Sequence, residues 1–182
     1  MDLSQIDLAS LSVVKYPDPR LRRPCQTITQ FDAALAALAR RMCQIMYQTK
    51  GVGLAAPQVG LALRLFVINP TGDPAQPEFE SAYVNGRIVS RDGSLTTEEG
   101  CLSVPGLSVR IKRAAKVTLE AADLQGQVRQ YPAEGLLARI FQHETDHIEN
   151  TIIADRMSAV AKLSLSNRQL LKDLEEEFQE QQ

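Results

Sequence analysis

The chain has two histidines, and they fall four residues apart in Gln142-His143-Glu144-Thr145-Asp146-His147. On an α-helix, positions i and i+4 stack on one face, so both imidazoles reach one point with Glu144 beside them. Leu136, Ile140, His143 and His147 recur at helical spacing, and Leu137, Phe141, Glu144 and Ile148 form the adjacent stripe. The spacing predicts a helix from Ala133 to about Glu149 with both stripes turned inward, leaving Arg139, Gln142, Thr145 and Glu149 for the remaining face. Histidine and glutamate on a buried face are costly without partners, and one metal ion would serve all three.

The rest of the pattern predicts an α+β domain, with short, mostly antiparallel sheets packed around that central helix and a further helix at the C-terminus. Leu35, Leu38, Met42, Ile45 and Met46 repeat by three and four after Asp32, marking a second amphipathic helix that Gly51 ends. Strand patterns run over Leu61–Asn69, Tyr83–Arg91, Leu107–Lys112, Lys116–Ala122 and Val128–Tyr131, the last two joined by a turn at Leu124-Gln125-Gly126. Pro70–Pro77 is a surface loop. The stretch Ser12–Thr29, with three prolines, is an extended arm. A C-terminal helix spans about Ala159 to Gln179, its Glu175-Glu176-Glu177 run a solvated face. The expected organisation is one catalytic domain over 1–182, with 1–12 an N-terminal extension and 159–182 the C-terminal helix.

With 44% hydrophobic and 23% charged residues and a formal charge of −2, the chain carries neither the basic stripe of a nucleic-acid binder nor an apolar run that would span a membrane. The first dozen residues lack the pattern of a secretory signal, and Cys25, Cys43 and Cys101 are an odd number without regular spacing. Cytoplasmic residence in a reducing compartment is expected. Cys43 falls among apolar neighbours of the first helix and reads as core.

Two ligands do not make a site. Zinc endopeptidases of the His-Glu-x-x-His type complete theirs with a histidine six residues on, or with a glutamate one helix later. Position 153 here is Ile153, which removes the first option; Glu175 or Glu176 would supply the second. Upstream, Glu98-Glu99-Gly100-Cys101-Leu102-Ser103-Val104-Pro105-Gly106 places a cysteine after a glycine, where backbone approaches a ligand closely and a thiolate suits a borderline metal. Cys101, His143 and His147 would leave a fourth position open, as a catalytic ion requires. A third segment, Gly51-Val52-Gly53-Leu54-Ala55-Ala56-Pro57-Gln58-Val59-Gly60, lacks the ending of a phosphate loop and fits a structural turn or a peptide-binding loop equally.

Taken together and in this order, Gly51–Gln58, Glu99–Ser103 and His143–His147 resemble the three signature motifs of the peptide deformylases, a resemblance that runs from about Val13 to Ala159 and includes the arm at Tyr16–Arg22. It implies an enzyme that removes the formyl group from the N-terminal formylmethionine of new polypeptides. It also implies one divalent ion, Fe2+ by preference with Zn2+, Ni2+ or Co2+ as substitutes, on Cys101, His143 and His147. Carried over residue by residue, Glu144 becomes the general acid/base, and Gln58 and the Leu102 N–H hold the formyl oxygen. The Val52–Gly53 backbone pairs with the peptide, Val52, Leu136 and Ile140 line the methionine pocket, Glu99 supports the motif loop, and Glu99 and Gly100 count with these as substrate-binding residues. Asp146 either orients His143 or is an exposed ion-paired acid. The expected partner is the N-formylmethionyl peptide, with the C-terminal helix free to pack on its own domain, dock on the ribosome or pair with another chain; a monomer is favoured.

The chain departs from the family pattern in four places. Ser108 replaces an arginine that helps hold the substrate, with Arg110 near enough to substitute. Asn150 replaces a glycine, Thr145 a hydrophobic residue, and Gly86 a proline. None is a ligand, so altered peptide preference is expected before loss of chemistry. Two other readings compete: a zinc endopeptidase using a downstream glutamate, and a deformylase-like peptide binder without turnover.

Overall fold

The computed structural model describes residues 2–180. The first long element, α1 (Ala33–Gln48), starts where Asp32 accepts the N–H groups of Ala34 and Leu35 at 3.0 Å each, two of the donors a helix leaves orphaned. Its predicted stripe of Leu35, Leu38, Met42, Ile45 and Met46 is fully buried. Next come β1 (Gly53–Ala55), β2 (Leu65–Ile68), β3 (Ser81–Asp92), β4 (Leu95–Cys101), β5 (Val104–Arg113), β6 (Lys116–Ala122) and β7 (Val128–Glu134). The chain ends in α2 (Gly135–Ile148), α3 (Ile153–Arg156), α4 (Ala159–Leu163) and α5 (Leu165–Glu180).

Five strands form one antiparallel sheet in the order β1-β2-β3-β6-β7, and β4 pairs with β5 in a separate antiparallel hairpin. Strand β2 explains how the layers stack. Side chains alternate across a strand, so Leu65 and Val67 pack toward α1 while Phe66 and Ile68 pack toward α2. All four are buried because the sheet is covered on both sides here. On the α2 side, Phe66, Tyr83 and Phe141 meet with ring centroids 5.0 to 6.4 Å apart.

Several boundaries differ from the sequence reading. The strand predicted for Leu61–Asn69 begins only at Leu65, since the Leu63 and Leu65 amides fold back on Leu61 and Leu63 and the arm residue Gln26 bonds to Ala62 and Arg64. Helix α2 begins at Gly135, because β7 runs on to Glu134 to complete its ladder with Lys116. The C-terminal helix is broken: Ser158 caps α4 at the Ala161 N–H, and Ser164 leaves helical geometry before α5. Residues 2–12 lie as two short 3-10 turns on α1, where Leu3 is buried and Arg41 donates to the Leu8 carbonyl.

The largest correction concerns α2. Gln142 and Thr145, placed on its outer face from sequence, are 7% and 2% exposed, and Asp146 is buried as well. The chain between β5 and β6 covers that side. Gln142 donates to the Ala114 carbonyl at 3.0 Å and accepts the Ala114 N–H at 2.9 Å, an exchange that holds the connection against the helix. Leu136 is the opposite case, an intended inward residue that is 43% exposed at the mouth of a cleft.

Candidate metal centre

Helix α2 presents His143, Glu144 and His147 on one side, and the end of β4 brings Cys101 against them. One donor atom from each of Cys101, His143 and His147 lies within 4.8 Å of the others. Cys101 Sγ is 3.3 Å from His147 Nε2. Thiolate and imidazole on a common tetrahedral ion would stand roughly 3.5 Å apart, so the donor set and its spacing fit one divalent ion. His147 Nδ1 is buried and has no hydrogen-bond partner among the described residues.

The second nitrogen of His143 is committed elsewhere. Its Nδ1 lies 3.2 Å from Glu99 Oε2, which leaves Nε2 to face Cys101 and fixes the ring's orientation. Glu99 in turn receives Arg113 through Nε and Nη2, both at 3.0 Å. Arg113 Nη1 reaches Asp146 at 2.5 Å, and Arg156 from α3 closes the row by donating to both Asp146 oxygens at 3.0 and 2.5 Å. Asp146 is therefore a buried member of a charge chain behind the site, not an exposed acid. Sequence reading missed Arg113 and Arg156. For Arg113 a signal existed: Leu107, Val109, Ile111 and Arg113 alternate along β5, and all four are buried.

The charges respond to these contacts. Burial alone would raise the Cys101 thiol, but the two imidazoles outweigh it and hold the group well below the usual thiol range, as a thiolate. Burial also opposes ionisation of Glu99, yet His143 and Arg113 bring its carboxyl down to about 2. Glu144 has no such bonds, and burial pushes it up to about 7, the range in which a carboxyl can both take and return a proton.

A cleft of about 500 Å³ opens onto these groups. It is lined by Val52, Gly53, Glu99, Gly100, Leu136 and Ile140, every residue that the sequence assigned to substrate binding, together with Leu102. Gln58 is 1% exposed, and its amide has a defined direction. Its Oε1 accepts the Ala55 N–H at 2.9 Å, which points Nε2 toward Ser103 Oγ at 3.2 Å and Cys101 Sγ at 3.6 Å. The glycine-rich segment folds as β1 followed by a 3-10 turn that carries Gln58, and Gly51, Val52, Gly53 and Gln58 from it line the cleft.

The departures find places too. Ser108 lines the cleft and donates to Glu98 Oε1 at 2.7 Å. Arg110 pairs across the hairpin with Glu98 and does not line the cleft, whose wall carries the cations Lys50 and Arg139. Asn150 has φ 63°, a left-handed conformation that asparagine tolerates better than most residues, so it serves where glycine is usual. A Cβ at Gly86 would lie 3.0 Å from the Phe66 ring. The buried Thr145 hydroxyl finds no partner among the described residues, and nothing in the structure explains it. Glu175 hydrogen-bonds to Tyr16 and Glu176 pairs with Lys172 at 3.2 Å, so neither downstream acid joins the metal donors.

The family model for polypeptide deformylase matches residues 10–163. Peptide deformylase of Acidobacterium capsulatum is 41% identical over 150 residues, 82% of this chain and 88% of that protein. The rice chloroplastic peptide deformylase 1B is 42% identical over 171 residues, 93% of this chain and 62% of that protein. Among solved structures, the peptide deformylase of Plasmodium falciparum superposes with a TM-score of 0.88 at 37% identity, covering 92% of this chain and 97% of that one. That of Legionella pneumophila gives 0.81 at 38% identity, covering 94% and 96%.

Proposed function

The chain belongs to the peptide deformylase family, enzymes that remove the formyl group from the N-formylmethionyl end of new polypeptides, and we propose that it works through one divalent ion held by Cys101, His143 and His147. The observation that carries this reading is the convergence of one thiolate and two imidazoles beside a buried carboxyl, at the floor of a cleft. We assign ferrous iron to the site in the cell; zinc, nickel or cobalt suit the same donors.

Such an ion supplies Lewis acidity toward a water and toward the formyl oxygen. Glu144 takes the proton of the water whose oxygen attacks the formyl carbon. Negative charge develops on the carbonyl oxygen, where Gln58 Nε2, already aimed by the Ala55 N–H, and the Leu102 N–H donate to it. The C–N bond breaks, Glu144 returns its proton to the leaving amine, and formate and a free N-terminus result. The peptide main chain lies along Val52 and Gly53 as an added strand, with the methionine side chain among Val52, Leu136 and Ile140. Glu99 and Gly100 hold the opposite wall, and Glu99 also fixes His143.

Residues 1–182 act as one catalytic unit in this reading, working as a monomer in the cytoplasm, with the ribosome as the place of encounter. Among the described residues no helix is long and apolar enough to cross a membrane, and all three cysteines are unpaired. The test is formate release from a formyl-Met peptide by anaerobically prepared, iron-loaded protein and by its Glu144→Ala variant. Metal-replete Glu144→Ala protein slowed ~10²–10⁴-fold is the expected result. Wild-type protein that releases no formate would overturn the reading.

A further inference from the structure

We infer that Gly53 is a positioning residue for Glu144: the side chain missing at 53 is the seat of the Glu144 carboxylate. The inference rests on Glu144 being the proton carrier. Backbone conformation does not explain a glycine here. Gly53 lies in β1, paired with Ile68, and its φ is not in the left-handed region. Any residue could adopt that backbone, as Leu54 and Ala55 do. Space explains it instead. A Cβ at 53 would stand 2.4 Å from Glu144 Oε1, 2.9 Å from Cδ and 3.1 Å from Cγ, so it would meet the whole end of the side chain.

Glu144 has nowhere easy to go, because it is 3% exposed. Nor is it tied by polar contacts: among the described residues Oε2 is buried without a hydrogen-bond partner. Its position is set by the walls around it, and the Gly53 Cα is one of them. Gly51 makes a useful contrast. A Cβ there would lie 2.8 Å from Leu102 Cδ1, a single methyl that can rotate aside. At 53 the group displaced is the one that moves the proton, and a misplacement near 1 Å costs on the order of 10² in rate.

A different role for the same glycine is close approach of the substrate backbone, and the two separate kinetically. With the iron-loaded enzyme and a formyl-Met peptide, Gly53→Ala is expected to lower kcat about 10²-fold while KM and bound metal stay near wild type. In a Glu144→Asp background, where the carboxylate is one methylene shorter, the alanine is expected to cost less than about threefold. A raised KM with unchanged kcat, or the full loss repeated in the aspartate background, overturns the inference.

A stability measurement reads the contact without activity. Gly53→Ala is expected to lower Tm by ~3 °C or more in the wild type and by nothing measurable in Glu144→Ala. Equal losses in both backgrounds overturn the inference. If Glu144→Ala itself releases formate at the wild-type rate, the proton-carrier assignment fails instead, whatever the Tm cycle shows.

Discussion

Arg113 grips Glu99 with two parallel hydrogen bonds of 3.0 Å between side chains that are 7% and 4% exposed. The same guanidinium reaches Asp146 on α2, so one cation ties the strand that carries Cys101 to the helix that carries both histidines. Planar two-point contact is what an arginine provides and a lysine does not.

Replacing Arg113 by alanine would leave Glu99 and Asp146 buried with one cation fewer. Removing one partner of a buried pair typically costs ~3–5 kcal/mol, so Arg113→Ala is expected to unfold at much lower urea. Arg113→Lys keeps the charge and loses the fork. It is expected to fold while binding metal ~10–100-fold more weakly, because Glu99 no longer holds the His143 ring square to the site. Competition with a chelator measures this. Wild-type affinity in Arg113→Lys would show that Glu99 orients His143 unaided.

The metal assignment makes its own prediction. Cys101→Ala is expected to purify without stoichiometric metal, and Glu175→Ala to retain it, since Glu175, on α5, is engaged by the Tyr16 hydroxyl of the N-terminal arm. Elemental analysis decides between them. Stripping the wild type with a chelator is expected to lower Tm, because an ion bound only by the folded state stabilises it by mass action, and re-addition restores it. Loss of metal from Glu175→Ala with retention in Cys101→Ala would favour the endopeptidase arrangement.

Much of this is legible in the sequence, for a definite physical reason. The helices α1 and α2 each carry a long periodic stripe, and a stripe survives small errors of boundary. The histidine pair needed only helical spacing, and the lack of a third histidine turned attention to Cys101. What escaped were features set by long-range pairing. Strand β4 reads Leu95-Thr-Thr-Glu-Glu-Gly-Cys101, with most positions exposed, so no apolar alternation marks it; it is a strand because β5 pairs with it. Arg113 sits in a basic stretch that resembles a solvated surface, and only the alternation from Leu107 places it on the buried face. Thr145 and Gln142 looked outward because helix periodicity cannot say how many sides of a helix the rest of the chain will cover.

Thiol reactivity offers a test confined to the other cysteines. Cys25 is only partly buried, yet desolvation pushes its thiol up to about 11, and Cys43 is pushed up to about 12 by burial with help from Glu80. Reaction requires the thiolate, which at pH 8 would be roughly one molecule in a thousand for Cys25 and one in ten thousand for Cys43. Native protein treated with a disulfide reagent is therefore expected to modify both slowly, with rates rising tenfold per pH unit for Cys25 until other parts of the protein titrate. Rapid modification of Cys25 at neutral pH, mapped by peptide mass spectrometry, would show that its surroundings are more open than this structure.

Acid stability follows from Asp18 in the N-terminal arm. Its carboxylate accepts the Arg20 N–H at 2.8 Å and the guanidinium at 2.9 and 2.6 Å, and these bonds hold its pKa below the ordinary value against a smaller opposing effect of burial. A depressed folded-state pKa contributes stability that is fully present above the unfolded value, about 3.9, and disappears as pH falls through the folded value. Asp18→Asn keeps the shape and removes the charge. The wild type is expected to have the higher Tm near pH 7, with the gap constant down to about pH 5 and closing below about pH 4. Because the Arg20 side chain is 47% exposed, the gap is expected to be small and to shrink in high salt. The consequence reaches the site, since this arm also donates the Tyr16 N–H to the Ser103 carbonyl at 2.7 Å, beside the hydroxyl that faces Gln58. A gap that widens on acidification, in paired thermal melts from pH 7 to pH 2, would contradict the ionised Asp18–Arg20 pair.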